Sequence, residues 1–500
     1  MSIKTGIVRA AANVSIKKVN QTEKKAIANQ EEIFKKLITT AKKTEFGLAH
    51  SFVKIKSHKE FTKAVPIRDY EGLKKYFQKV KNGHKNVLWP GIPKYLAKTS
   101  GTTSGTKYIP ITKQSLPNHI NSGRNALFSY LISKPESKIF DGQMLFLSGT
   151  PNLTKENNIL IGRLSGIVNH EVPSWMAKTI LPAHEINVIE PWEMKVEMMV
   201  QSLLNKDLRV ISGIPPWIQM LCEKIIDVTG KKSVIDHFPN LELYIHGGVN
   251  YEPYHDRINS LIGKEIHLIE TYPASEGFIA YQDNFNIDAL RIISNSGIFY
   301  EFVPKEEVGL PEPTRITLKE IEIGKDYAII LSSNAGLWAY LVGDLVRFVS
   351  KDPYRLKVSG RVSQYISAFG EHVIASEIEK SITEAIQQHK LSIVEFLVAP
   401  NVTPDDGLPF HEWFIEFNST PNNIDAIENT INDTLCKTNT YYNDLITGKI
   451  LRKLKISQVK KDGFKEYMIS INKYGEQFKV TRVCNDRKIA DQLKSKLLYS

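Results

Sequence analysis

The feature that most constrains this chain is a stretch between two apolar runs in which residues 99–106 read Thr-Ser-Gly-Thr-Thr-Ser-Gly-Thr, followed by Lys107. Glycine lets an anion approach the backbone closely, consecutive N–H groups form a concave nest, and a lysine adds a point charge. The composition is that of a loop that grips phosphate. It is not a Walker A loop, because Tyr108 stands where a Ser or Thr would have to follow the lysine to meet magnesium. Tyr108-Ile109-Pro110-Ile111 reads as a strand, so a loop joining two strands is expected. An ordinary Ser/Thr/Gly turn has the same composition, and the rest of the chain has to decide between the two.

The flanking segments set the fold class. Ala26, Ile27, Ile33, Phe34, Leu37, Ile38 and Ala41 recur at helical spacing, which predicts one amphipathic helix over about 20–42, ended by Thr44-Glu45-Phe46-Gly47. Asp69 is placed to cap a second helix. A helix over 118–132 leads to a strand at 144–149. A helix opened by Pro191 then precedes a strand at 208–213. This is the β-α-β rhythm of an α/β domain. With 500 residues, 42% of them hydrophobic, the chain can build more than one core. The boundary is expected after residue 365. A large domain, 1–365, would mix sheets and helices, and a small mobile α+β domain, 366–500, would begin with a helix striped by Ile374, Ile378, Ile382 and Ile386.

Charge and cysteine usage narrow the function. Lys and Arg exceed Asp and Glu to give a net charge of +11, which favours anionic ligands. The basic residues are scattered in short runs such as Lys231-Lys232, which argues for solvated faces and an anionic substrate and against nucleic acid. Cys222, Cys436 and Cys484 are odd in number and far apart, so neither a disulfide framework nor a zinc site is expected, and a cytoplasmic protein is. No apolar run approaches the roughly 18 residues of a membrane span.

Further along, three strand-and-turn stretches carry chemistry. His246-Gly247-Gly248 ends an apolar strand with two residues that lack a Cβ, suited to a planar ligand or simply to a tight turn. Tyr272-Pro273-Ala274-Ser275-Glu276-Gly277 is expected as a loop whose carboxylate can meet magnesium or water. In Tyr340-Leu341-Val342-Gly343-Asp344 an acid breaks an apolar run, either to accept hydrogen bonds from a sugar diol or as a plain bulge. Lys479 lies late in the chain in a mixed polar and apolar setting, where a solvated lysine is the plain alternative.

In this order the stretches resemble the three nucleotide motifs of the adenylate-forming superfamily of acyl-CoA synthetases and firefly luciferase. The chain is most similar to the auxin-responsive Gretchen Hagen family of acyl-acid amido synthetases. The likeness extends to Thr44-Glu45-Phe46-Gly47, Val65-Pro66-Ile67-Arg68-Asp69-Tyr70-Glu71, Ile245-His246-Gly247-Gly248 and Gln477-Phe478-Lys479. The resemblance implies ATP and Mg2+. Ser100, Gly101, Thr102, Thr103 and Ser104 would contact phosphates, Gly247 and Gly248 would border adenine, and Tyr272 and Ser275 would flank the nucleotide. Glu276 would ligate magnesium, Asp344 would hold the ribose, and Lys479 would swing in with the small domain.

Two departures stand out. Lys107 sits one position earlier than in many plant members, and Leu341 replaces an arginine of the third motif, a loss that Arg361 would offset. Arg124 and Trp217 are the candidates for the acyl-acid pocket. The implied reaction activates a small carboxylic acid as an acyl-adenylate and passes it to an amino acid. An acyl-CoA ligase and a non-catalytic anion- or nucleic-acid-binding protein are the alternatives, and the acid, the amine, the base and the oligomeric state stay open.

Overall fold

Sparse apolar residues four apart start the chain as a helix. The structure, a computed structural model, describes residues 3–100, 106–148, 151–172, 174–189, 192–248, 251–362, 365, 366, 368, 369, 371, 373–402, 404–447, 451–473, 479–484 and 487–497. Helix α1 (Ile3–Glu23) buries Val8, Ala12 and Ile16, and α2 (Ala26–Ala41) buries Ile33, Phe34, Leu37 and Ile38. The single helix expected over 20–42 is therefore two, parted at Lys24-Lys25. The α1 stripe escapes a sequence reading because it is only one residue wide. Residues 44–47 do not simply end α2: Thr44 caps a further turn, Glu45–Ala49, by accepting the Gly47 N–H at 3.0 Å. Helix α3 (Tyr70–Lys81) begins where expected, with the Asp69 carboxylate accepting the Gly72 N–H at 3.0 Å.

Strands β1 (Tyr95–Ser100) and β2 (Thr106–Ile111) pair antiparallel, with Ser100 opposite Thr106 at the open end. They belong to a four-stranded sheet. Helix α4 (Leu116–Ser133) follows. A twelve-stranded mixed sheet then holds β3 (Leu208–Ser212), which leads into α5 (Pro215–Thr229), and β4 (Leu243–Gly247), β5 (His267–Ala274) and β6 (Gly277–Tyr281). Strands β3, β4 and β5 run parallel, and β6 turns back on β5. The same sheet holds the antiparallel pair β7 (Asp326–Ser333) and β8 (Tyr340–Lys351). The apolar face of α4, through Leu127, Tyr130 and Leu131, packs with Val210, Leu243, Ile245 and Ile269 of the parallel strands and with Val8 and Ala12 of α1. No described helix is long and apolar enough to cross a membrane.

The chain divides into two compact units, Met1–Val358 and Ser359–Ser500. The division falls inside a strand, Tyr354–Arg361. In the second unit α6 (Ala375–His389) and α7 (Ile424–Thr438) cover one face of a sheet ordered β9 (Ile393–Asn401), β10 (Phe410–Phe417), β11 (Lys455–Val459). Its core joins Ile378 and Ile382 to Val398, Trp413, Ile427 and Ile431. A second cluster, Leu397, Phe414, Phe464 and Leu493, fills the opposite face. The protein is thus of mixed α/β class, with a small α+β second unit.

Candidate active site

Backbone geometry fixes the carboxylates first. In the ladder of β7 and β8, Leu345 pairs with Ala328 and Leu341 with Ile330, so Val342, Gly343 and Asp344 together face Ile329. The bulge works because Gly343 sits at φ +94°, a conformation an L side chain resists. Its effect is to aim Asp344, only 7% exposed, at the β5 and β6 hairpin. There Tyr272, itself 7% exposed, donates its hydroxyl to Asp344 Oδ2 at 2.5 Å.

A second phenol pairs with a second acid. The Tyr340 hydroxyl hydrogen-bonds the Glu276 carboxylate, and burial together with the Glu276 charge holds that phenol far above its ordinary pKa. Tyr272 and Glu276 come from one hairpin, Tyr340 and Asp344 from one strand. Two crossed phenol-carboxylate pairs therefore stitch the second motif to the third. The expected loop over 272–277 is mostly strand: Tyr272, Pro273 and Ala274 lie in β5 and Gly277 in β6, leaving Ser275 and Glu276 as the turn. A strand holds Tyr272 more rigidly than a loop would.

The first motif is reached through residues 68–70. Leu341 donates its N–H to the Arg68 carbonyl at 2.9 Å, and Arg68 donates to Ala339 at 3.1 Å. Two residues on, the Tyr70 hydroxyl accepts the Tyr108 N–H of β2 at 3.0 Å, and the Lys107 ammonium lies 5.7 Å from the Tyr70 ring. The foot of the β1–β2 loop is thus tied to the strand that carries Tyr340 and Asp344. Gly101, Thr102, Thr103 and Ser104 lie outside the described residues, and Ser100 is described only as the last residue of β1.

Gly247 ends β4, and a Cβ there would lie 2.3 Å from the Thr271 carbonyl oxygen, so close strand packing demands glycine. Gly248 follows at φ +73°. Trp217, 8% exposed, sits in the first turn of α5. Arg124 is exposed on α4, its guanidinium 5.6 Å from the Phe128 ring. It lines a cleft with residues of α1 and α2 that includes none of the motif residues. Arg361 and Lys479 belong to the second unit and are exposed. The residue beside Leu341 is Arg68, and its guanidinium turns away, bonding His50 at 3.1 Å and lying over Phe46.

Sequence reasoning did not single out Tyr340, Tyr70 or Glu270. In parallel strands paired residues share a face, and His246 is paired with Glu270, two residues before Tyr272. Burial and the nearby Asp288 charge push the Glu270 carboxyl up to about 7, while burial pushes His246 down to about 4. The available signal was a carboxylate directly after the mostly apolar run Ile266-His267-Leu268-Ile269 and still within a strand pattern. Among the described residues no group of three or more His, Cys, Asp or Glu could hold a metal by itself. A single carboxylate such as Glu276 suits Mg2+, which keeps waters and takes its remaining ligands from substrate phosphates.

Residues 15–166, 291–361 and 376–488 match the N-terminal, central and C-terminal domains of the GH3 family. A jasmonoyl–L-amino acid synthetase of Nicotiana attenuata, JAR4, is 21% identical, covering 76% of this chain and 77% of its own. An indole-3-acetic acid-amido synthetase of Arabidopsis thaliana, GH3.15, is 22% identical over 67% of this chain and 69% of its own. Among solved structures, the GH3.15 acyl acid amido synthetase in complex with 2,4-DB superposes with a TM-score of 0.81 at 16% identity, covering 98% of this chain and 97% of that one. A 2-hydroxyisobutyryl-CoA ligase in its postadenylation state gives 0.61 at 13% identity, over 95% and 92%. With its motifs stitched together by paired tyrosines and carboxylates and all three family domains matched in order, this chain belongs to the GH3 family of acyl-acid amido synthetases.

Proposed function

We propose that this enzyme activates a small carboxylic acid with ATP, releasing pyrophosphate, and transfers the acyl group from the adenylate to the amine of an amino acid. The observation that carries the reading is the crossed arrangement of Tyr272 with Asp344 and Tyr340 with Glu276. It brings Asp344, which would accept from sugar hydroxyls, and Glu276, which would ligate the metal, onto one strand and one hairpin. The named relatives act on jasmonate and indole-3-acetic acid. We carry over the reaction class and leave the acid open.

The residues suit each step. A substrate carboxylate, with a pKa near roughly 4, is already ionised at neutral pH and attacks the α-phosphorus without a general base. Asp344, fixed by Tyr272, accepts hydrogen bonds from the ribose hydroxyls. Glu276 would hold Mg2+, which when bound offsets charge on the phosphate oxygens. The donors of residues 100–104 and the Lys479 ammonium would stabilise negative charge that grows as pyrophosphate departs. Gly247 and Gly248 would lie against the adenine, and Trp217 would wall the acyl pocket. The amine then attacks the activated carbonyl, forming the amide and expelling AMP.

The test is carboxylate-dependent ATP–pyrophosphate exchange over a panel of acids, followed by AMP release with amino acids or CoA. Exchange with release that requires an amino acid is the expected result. Release that requires CoA instead would move the enzyme to the thioester-forming class of its fold neighbour. Glu276→Ala and Lys479→Ala should each slow exchange at least about tenfold, the scale of losing one charge-stabilising group. Unchanged rates in both would overturn the site.

A further inference from the structure

The parallel strands of the first unit end in a row. The strand Gln143–Phe146 lies parallel beside β3, with Phe146 paired to Ser212, and β3 lies beside β4, which lies beside β5. Backbone hydrogen bonds keep the row in step past the strand ends: Leu147 donates its N–H to the Ser212 carbonyl at 2.7 Å and Gly213 donates to Ile245 at 3.1 Å. Inside the strands Met144, Val210 and Leu243 are fully buried, whereas Ser148, Gly213 and Gly247 at their carboxyl ends are half-buried. Ligands of open α/β sheets bind outside such ends.

The row puts the substrates in an order. Beyond β5 the parallel edge stops, because β6 runs back antiparallel. On the adenylation reading the nucleotide takes that end, against Gly247, Gly248 and Tyr272. An acid that meets its α-phosphorus along the same edge then lies over β3 and Gln143–Phe146. There Trp217 follows Gly213 in the first turn of α5, and Ser148 forms the outer lip.

A buried charge fixes that lip. Lys195, in the helix Trp192–Leu203, is only 2% exposed, and its ammonium donates to the Ser148 carbonyl at 3.3 Å and to the Asn187 carbonyl at 2.8 Å. Burial, with the Arg163 charge nearby, brings its pKa down to about 8. Taking an ammonium out of water is costly, and more so near a second cation. An apolar side chain of the same length would pack this helix at less cost. What the ammonium adds is one point that holds carbonyls of two separate segments.

We infer that Lys195 is a positioning residue for the acyl acid: by holding the Ser148 carbonyl it sets the outer lip of the pocket that Trp217 walls, and with it the affinity for the acid but not for ATP. The inference rests on the adenylation reading and names a further residue for it.

The experiment measures ATP–pyrophosphate exchange with acetate, hexanoate, benzoate and indole-3-acetate, and takes KM for the best of these acids and for ATP in the parent and in Lys195→Met. The variant should raise KM for the acid at least tenfold and leave KM for ATP within twofold, and Lys195→Arg, which keeps the charge and the donors, should recover most of the loss. An unchanged acid KM in folded Lys195→Met overturns the assignment. So does a rise of both KM values together with a lowered melting temperature, because Lys195 would then support only the scaffold. Should Lys195→Met not fold, Lys195→Gln is read in the same way, and failure of both to fold also makes Lys195 a scaffold residue and overturns it. A parent without acid-dependent exchange brings down the adenylation reading and this assignment together, whereas an active parent whose variant keeps its acid KM brings down this assignment alone.

Discussion

Glu270 sits in an environment that its position in the sequence does not suggest. Its carboxyl is half-buried on the face shared with His246 and Tyr272, and burial with the Asp288 charge raises its pKa from the ordinary 4.5 to about 7. A raised carboxyl favours the folded state fully below the unfolded pKa, and the contribution is lost as pH rises through the folded pKa. Between about pH 4.5 and 7 the protein should therefore lose stability from this group. Glu270→Gln removes the titration: urea unfolding should show it more stable than the parent by about 3 kcal/mol at pH 8 and nearly equal at pH 4.5. A parent and variant that differ equally at both pH values would mean that Glu270 is solvated. Tyr340 gives a second residue-scale expectation. Tyr340→Phe deletes the hydroxyl that holds Glu276, so it should cost about 1 kcal/mol of stability and raise the metal concentration needed for half-maximal pyrophosphate exchange.

At the scale of elements, two glycines carry the site for different reasons. Gly343 lies at φ +94° with nothing within 4 Å of a Cβ built on it, so Gly343→Ala should cost only backbone strain, about 1–2 kcal/mol. Gly343→Asn should cost less, since asparagine tolerates the left-handed region. If alanine there is silent in denaturant unfolding, the bulge is not strained and Asp344 is held by Tyr272 alone. Gly247 is limited by space instead, with the Thr271 carbonyl 2.3 Å from a built Cβ. Gly247→Ala should open the β4–β5 ladder and destabilise by more than the Gly343 change. Glycine pairs and a Gly-Asp step inside apolar runs are visible in a sequence, which is why these turns were legible. That Tyr272 sits in a strand was not, because proline at 273 argues for a loop, and only the hairpin with β6 overrides it.

For the whole molecule, the order of motifs was legible in the sequence because each is a short cluster of unusual residues, and the crossed tyrosine pairs were not. Tyrosine is an ordinary core residue, and its partner here lies 64 positions away for Tyr340 and 72 for Tyr272. The division between units was approachable, since the Ile374, Ile378, Ile382 stripe announces a new core, yet the break falls at Val358, inside a strand whose pattern continues without a turn signal. Separate cores carry a thermodynamic consequence. Ile378, Ile382, Trp413 and Ile431 pack with one another within the second unit, while Leu127, Val210 and Ile269 do so within the first. Each unit should then unfold as its own cooperative step, giving two calorimetric transitions. Ile431 is fully buried, so Ile431→Ala removes three carbons from the second core and should cost about 2–5 kcal/mol there. In a unit of this size that lowers one melting temperature by on the order of 10 °C. The other transition should stay where it is, because its core loses nothing. A single transition that moves as one in the variant would mean that the two cores share their stability and that the chain behaves as one folding unit.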